Sequence, residues 1–185
     1  MKTKLVIAIL LAACASAYAG SVDGWMLSGA RAKSYEIGTD SSETNSGKAS
    51  RYIRYVDGDS SAFGTLMQTI SAKNYQGKRV RFQAMVKTRD VSQWAGLWMS
   101  ALRDGEQYPQ AFYNSHDKPI TGSSDWQLRS VTLDIPADAA TLNFGVIDAG
   151  KGQVWIDKLS LEVVGKDVPV DVMPGHHAPS EAPSL

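Results

Sequence analysis

Apolar and polar side chains alternate with a period of two along much of this chain. From Lys78 to Thr88, Val80, Phe82, Ala84 and Val86 share one face, while Arg79, Arg81, Gln83 and Lys87 share the other. A period of two sustained that long predicts a strand with one buried face. The same pattern predicts a strand over Arg129–Ile135, with Val131, Leu133 and Ile135 inward, and another over Thr141–Asp148, with Leu142, Phe144 and Val146 inward. Weaker alternation marks Ser34–Ile37, Arg51–Val56, Phe63–Ser71, Trp94–Arg103 and Tyr108–Asn114. Asp57-Gly58-Asp59, Tyr75-Gln76-Gly77-Lys78, Asp104-Gly105 and Gly150-Lys151-Gly152 supply turn residues between them. Nowhere do apolar residues hold helical spacing for long. Many short strands separated by turns predict an all-β sandwich or barrel.

The last predicted strand, Gly152 to Val164, contains an irregularity. Val154 and Ile156 are at even positions, whereas Leu159, Leu161 and Val163 are at odd ones. A strand with one apolar face changes parity only by inserting a residue, so a bulge is expected near Asp157-Lys158.

Both ends differ from this central region. Lys2 and Lys4 precede a short apolar run from Leu5 to Ala13, and Ala17-Tyr18-Ala19 fits a small-x-small cleavage site, so residues 1–19 read as a secretory signal peptide. Leu11-Ala12-Ala13-Cys14 also resembles a lipobox, in which Cys14 would be lipidated and the protein anchored to the envelope. The two readings stand side by side. Either leaves the mature domain without a disulfide, in a periplasmic, secreted or envelope-anchored setting. The run is too short to span a bilayer at about 20 residues per crossing, and no transmembrane segment is expected. Residues 166–185 carry Pro169, Pro174, Pro179 and Pro183 and few large apolar side chains; they are expected to be a disordered tail. The chain has 19 basic and 19 acidic residues and no basic stripe, which argues against a nucleic-acid partner.

The "G-K-x-V-x-F-x-A-x-V-K" run of Gly77–Lys87 follows a Tyr-x-Gly turn. Asp125-Trp126 leads into Val131-Thr132-Leu133-Asp134-Ile135-Pro136, and the chain closes on Trp155-Ile156-Asp157. Together these resemble the carbohydrate-binding-module-like, galactose-binding-like β-sandwiches of bacterial exported proteins. The resemblance covers most of Trp25–Val164 and implies an antiparallel jelly-roll over residues 21–165. Related domains are found fused to hydrolases or to regulatory proteins. Asp157 sits where the family's closing Asp does, which implies a structural role pairing with loop amides, beside Trp155 as a packing residue. Some members of this fold hold a structural calcium. Asp157 is a candidate ligand on that ground, with Asp23, Asp40 and Asp148 as conceivable partners, although no calcium-loop spacing supports the set. No other cofactor or metal is expected.

Candidate binding chemistry centres on Trp94-Ala95-Gly96-Leu97-Trp98-Met99-Ser100-Ala101. As a strand, this segment places Trp94 and Trp98 on one face and Leu97, Met99 and Ala101 on the other. If the latter face the core, two indoles point outward and can stack on the apolar C–H faces of sugar rings. If the faces are inverted, both tryptophans fill the sandwich. Arg103, Tyr108, Gln110 and Tyr113 follow and would extend such a surface with hydrogen-bonding groups. Catalysis is not expected: the folded region holds only His116, and no nucleophile elbow, zinc-protease or phosphate-loop motif occurs. The reading is a non-catalytic binding module for a glycan or similar polar ligand. An envelope protein-interaction domain is the alternative, and a hydrolase stands third.

Overall fold

The computed structural model describes residues 21–175; the leader expected at residues 1–19, Cys14 within it, and His176-His177 lie outside them. The described residues form strands β1 (Ser21–Val22), β2 (Trp25–Ser28), β3 (Tyr35–Asp40), β4 (Ser50–Tyr55), β5 (Phe63–Ser71), β6 (Arg79–Leu102), β7 (Ala111–Tyr113), β8 (Ile120–Asp134), β9 (Thr141–Ala149) and β10 (Gln153–Val164), with one 3-10 turn at Ala32–Ser34.

The long strand β6 sets the architecture. Its first half pairs antiparallel with β10 and β8 from Arg79 onward. Its second half, Trp94–Leu102, pairs with β9, and Met99–Ala101 pairs with β7. Between the halves, Asp90 takes φ 52°. The register against β8 slips between Val86 and Thr88, Thr88 and Val91, and Val91 and Ala95. The periodicity suggested two strands here, Lys78–Thr88 and Trp94–Arg103. They are joined because aspartate tolerates the left-handed backbone, so one residue bends the strand without a loop.

One strand therefore belongs to both layers of an antiparallel jelly-roll sandwich. The first layer runs β3-β4-β10-β6-β8, and the second β1-β2-β5-β9-β6-β7. Val80, Phe82, Ala84 and Val86 of the first layer are fully buried, as are Leu97, Met99, Leu142 and Val146 of the second. Phe82 and Phe144 meet across the interface with centroids 5.0 Å apart, and Trp25 packs edge-on against Phe144 at 5.9 Å. Each such side chain contributes about 1.5–3 kcal/mol by leaving water.

The bulge in β10 is present. Asp157 faces Met85 and Ser160 faces Gln83, so β10 carries one extra residue, and Lys158 adopts φ 48°. The insertion turns Leu161 and Val163 onto the face that Val154 and Ile156 occupy.

The start of the tail corrects the compositional expectation. Residues 166–175 fall in the stretch read as disordered, yet Arg79 Nη1 donates to the carbonyls of Lys166 and Val168 at 2.6 and 2.7 Å. Asp171 then exchanges hydrogen bonds with Thr132 of β8, its N–H donating to the Thr132 carbonyl and its carboxylate accepting the Thr132 N–H, both at 2.9 Å. Lys118 closes on the other Asp171 oxygen at 2.9 Å. The segment covers part of a free strand edge, a role that polar residues fill without an apolar stripe.

Candidate functional site

Register decides which way the tryptophans point. Ala95, Leu97, Met99 and Ala101 are fully buried between the layers. Trp94, Trp98 and Ser100 alternate with them and lie on the outer face, opposite Ala149, Gly145 and Asn143 of β9. The outward reading of this strand is the one the structure has, with both indoles half-buried.

Trp98 is held flat against that face. Its Nε1–H donates to Thr65 Oγ1 at 2.7 Å. Thr65 is on β5, one strand beyond β9. Two strand spacings are about 9.6 Å, so the indole reaches Thr65 only by lying across β9. β9 presents Gly145 at the crossing. A Cβ there would press on the Leu66 carbonyl oxygen and lie 2.8 Å from Met67 Cα, so β5 and β9 tolerate no side chain at this point. Thr65 in turn donates to the Val146 carbonyl at 2.9 Å and is fully satisfied.

Trp94 packs edge-on against His116, centroids 5.1 Å apart. His116 comes from the segment after β7, which folds over Gly96. A Cβ on Gly96 would sit 2.9 Å from Ser115 Cβ, and Ser115 Oγ donates to the Leu97 carbonyl at 2.7 Å. Elsewhere this face is apolar, with Met26, Phe63, Leu102 and Phe112 partly exposed. Its polar row is spent internally: Thr69 Oγ1 donates to Asn143 Oδ1 at 2.7 Å, and Asn143 Nδ2 to Ser100 Oγ at 3.3 Å. Phe112, opposite Ser100, escaped the sequence reading because its exposure depends on which residue of β7 faces β6.

Tyr113 is corrected by the same register. It pairs with Met99 on the core face and is 1% exposed, so it is not a surface hydrogen-bonding group. Its hydroxyl donates to Asp117 Oδ1 at 2.6 Å; burial, then that bond, pushes its pKa well above the usual phenol range.

Arg103, Tyr108 and Gln110 lie on the β6–β7 connection, away from the indoles. Trp98 and Arg103 are five residues apart, about 16 Å of extended chain. Gln110 staples this loop, accepting the Arg103 N–H at 2.8 Å and donating to the Tyr108 carbonyl at 2.7 Å. Arg103 pairs with Asp138 at 2.6 Å, and that hydrogen bond holds the Asp138 carboxyl below its ordinary range. Tyr108 is 60% exposed.

Trp155 and Asp157 lie on the opposite side of the sandwich, on the outer face of the first layer. Trp155 is 1% exposed because the β3–β4 loop folds over it. Its Nε1–H donates to Asp40 Oδ2 at 3.0 Å, and Arg89 stacks on its ring at 4.7 Å. Asp157 holds the loop, accepting the N–H groups of Asn45 and Ser46 at 2.7 and 2.8 Å, and of Lys158 at 2.7 Å. Burial raises this carboxyl, but those donors outweigh it and keep its pKa below the usual range. The hydrogen bonds of Ser42 and then Trp155 hold Asp40 at about 2. The remaining conceivable calcium partners lie elsewhere: Asp148 faces the core, and Asp23 sits 3.6 Å from Arg51. Among the described residues no three His, Cys, Asp or Glu side chains form a group that could hold a metal.

The antiparallel jelly-roll sandwich is the fold of the carbohydrate-binding-module and galactose-binding-like β-sandwiches. The chain superimposes on the CBM22-1 xylan-binding domain of Paenibacillus barcinonensis Xyn10C with a TM-score of 0.57 at 17% identity, covering 78% of this chain and 88% of that one. It also matches the enzymatically active domain of tailspike protein 4 of bacteriophage CBA120, TM-score 0.59 at 14% identity, covering 78% of this chain but 20% of that one. No known family profile matches. In sequence, the chain is 38% identical over 147 residues to an uncharacterized HTH-type transcriptional regulator, YbfP, of Bacillus subtilis (strain 168), covering 79% of this chain and 50% of that protein. The chain thus spans half the length of that relative. Among the described residues no helix is long and apolar enough to cross a membrane.

Proposed function

We propose that this sandwich is an exported, non-catalytic binding module that holds a saccharide against the outer face of its second layer, with Trp94 and Trp98 as the stacking surface. One observation carries the reading. Trp98 is pinned across β9 by its bond to Thr65, so one indole face is laid open before any ligand arrives. A stacking group fixed in advance loses little freedom on binding. The fold's likeness to a xylan-binding domain supports the same ligand class.

The apolar character of the surrounding face favours a second reading, docking of a protein partner. Thr65, Ser100 and Asn143 already bond to protein groups and offer few free polar contacts. Titration with neutral oligosaccharides, followed by tryptophan fluorescence, separates the two. Stacking that covers about 80 Å² of apolar surface is worth about 2 kcal/mol, so Trp98→Ala should weaken saccharide binding about 30-fold. Saccharide affinity unchanged in Trp94→Ala/Trp98→Ala would remove this face from sugar binding and leave the protein-docking reading.

A further inference from the structure

We propose a second ligand site, on the outer face of the first layer, that takes a neutral polyhydroxylated ligand such as an uncharged oligosaccharide. The site is an open, shallow cleft of about 470 Å³ bordered by Glu43 on one side and by Ser123, Ser124 and the exposed Asp125 on the other, with Lys87 and Arg89 between.

Both walls are held by hydrogen bonds to neighbouring strands and loops. Glu43 lies in the β3–β4 loop, its N–H bonded to Asp40 Oδ1 at 3.2 Å and its carbonyl accepting Ser50 Oγ. Asp157 holds the following residues of that loop through the Asn45 and Ser46 N–H groups. The other wall follows from the corner in β6. Where the register slips, Ser123 and Ser124 of β8 come level with Thr88 and Asp90. Ser123 Oγ accepts the Asp90 N–H at 2.9 Å, and Ser124 Oγ bonds Thr88 Oγ1 at 2.9 Å. The cleft is therefore present without a ligand.

The charges inside select the ligand class. Glu43 bridges Lys87 Nζ at 2.8 Å and Arg89 Nη2 at 3.3 Å, and Asp125 approaches Lys87 at 4.0 Å. Two cations alternate with two carboxylates. An anionic ligand meets Glu43 and Asp125; a cationic one meets Lys87 and Arg89. A hydroxyl group donates to a carboxylate and accepts from an ammonium at once, so a polyol satisfies both signs. Arg89 lies over Trp155, which ties its position to the sheet.

The two faces carry separate reporters, the indole N–H of Trp155 beside this cleft and that of Trp98 on the other side. The full chain, ¹⁵N-labelled, is titrated with xylohexaose and cellohexaose as neutral probes, and with trigalacturonic acid and chitotriosamine as charged ones. The Trp155 indole and the Ser123–Asp125 amides should move with a neutral probe and continue to do so in Trp94→Ala/Trp98→Ala. Lys87→Met should weaken that response at least about tenfold while leaving the Trp98 resonance in place, and each charged probe should bind at least about tenfold more weakly. Cleft resonances that stay still with both neutral probes, tighter binding of a charged probe, or full affinity in Lys87→Met would each overturn the site. Movement at Trp98 alone would sustain the stacking face without the cleft; movement at Trp155 alone would do the reverse.

Discussion

Asp148→Asn should abolish a fall in stability that the native protein undergoes between about pH 4 and pH 7. Asp148 points from β9 into the space between the layers, is fully buried, and has no hydrogen-bond partner on either carboxylate oxygen among the described residues. The Tyr35 hydroxyl, whose pKa burial and then Asp148 push up, is engaged with the Gly150 carbonyl at 2.6 Å. Burial pushes the Asp148 pKa from its ordinary 3.8 up to about 7. Below pH 3.8 the folded and unfolded chains both carry the proton. Between 3.8 and 7 the unfolded chain releases it and the folded chain keeps it, so stability falls as pH rises, by about 1.4 kcal/mol per pH unit. Above 7 both states are ionised and the loss stops growing. Over about three units this amounts to about 4 kcal/mol, a large share of the 5–15 kcal/mol typical of a domain. Asparagine has nearly the same shape and does not titrate. Urea unfolding followed by tryptophan fluorescence at half-unit steps from pH 4 to 8 measures both proteins. The variant should lie close to the native protein at pH 4 and exceed it by about 3–4 kcal/mol at pH 7.5. The carboxyls held low, Asp40, Asp134, Asp138 and Asp157 among them, contribute the opposite slope to both proteins and cancel in the difference. A difference that does not change with pH, or a variant less stable than the native protein at pH 7.5, would refute the reasoning and mean that the buried carboxylate has a partner.

Asp157→Ala leaves three N–H donors without their acceptor; it should cost about 2–4 kcal/mol, and hydrogen exchange at Asn45 and Ser46 should rise together. Tyr113→Phe should cost about 1 kcal/mol, from the lost bond to Asp117, and leave saccharide affinity unchanged in the same fluorescence titration. Gly145→Ala should cost about 1–3 kcal/mol of stability and lower the melting temperature, because a Cβ there meets the Leu66 carbonyl and Met67 Cα of β5; thermal unfolding by circular dichroism checks it.

Much of the layer structure was legible in the residues. Strands whose one face is packed and other face wet announce themselves, as Arg79–Val86 and Val131–Ile135 do, because burial acts on alternate side chains. The bulge was legible for the same reason, since a change of parity in β10 has only one geometric remedy. The continuity of β6 was not, because a single Asp90 bends the strand and a lone aspartate reads equally as a turn. The candidate face was legible where it depends on one strand, at Trp94 and Trp98. It failed where it depends on pairing: Tyr113 alternates correctly along β7, but only its partner Met99 fixes which parity is inside. Arg103, Tyr108 and Gln110 follow the indoles in sequence, yet the hairpin carries them beyond the end of the face. The cleft left no local signal, since its walls come from residues 43, 87–89 and 123–125, brought together by the corner and the slipped register.

The sharing of β6 between the layers also bears on how the chain can acquire its structure. β6 lies beside β9 in one layer and beside β10 in the other, and β10 alone joins β3 and β4 to the rest of their layer. These are the last strands to be made. A nascent chain that has reached Asp134 holds β6 with β8 and β7 beside it but without β9 or β10, and the β3–β4 hairpin has nothing to dock on. Pairings such as Phe63 with Ala149 and Arg51 with Ile156 close very long loops, which favours slow, late assembly. The domain should consequently form in one cooperative event after Val164 is available, with no stable N-terminal fragment on the way.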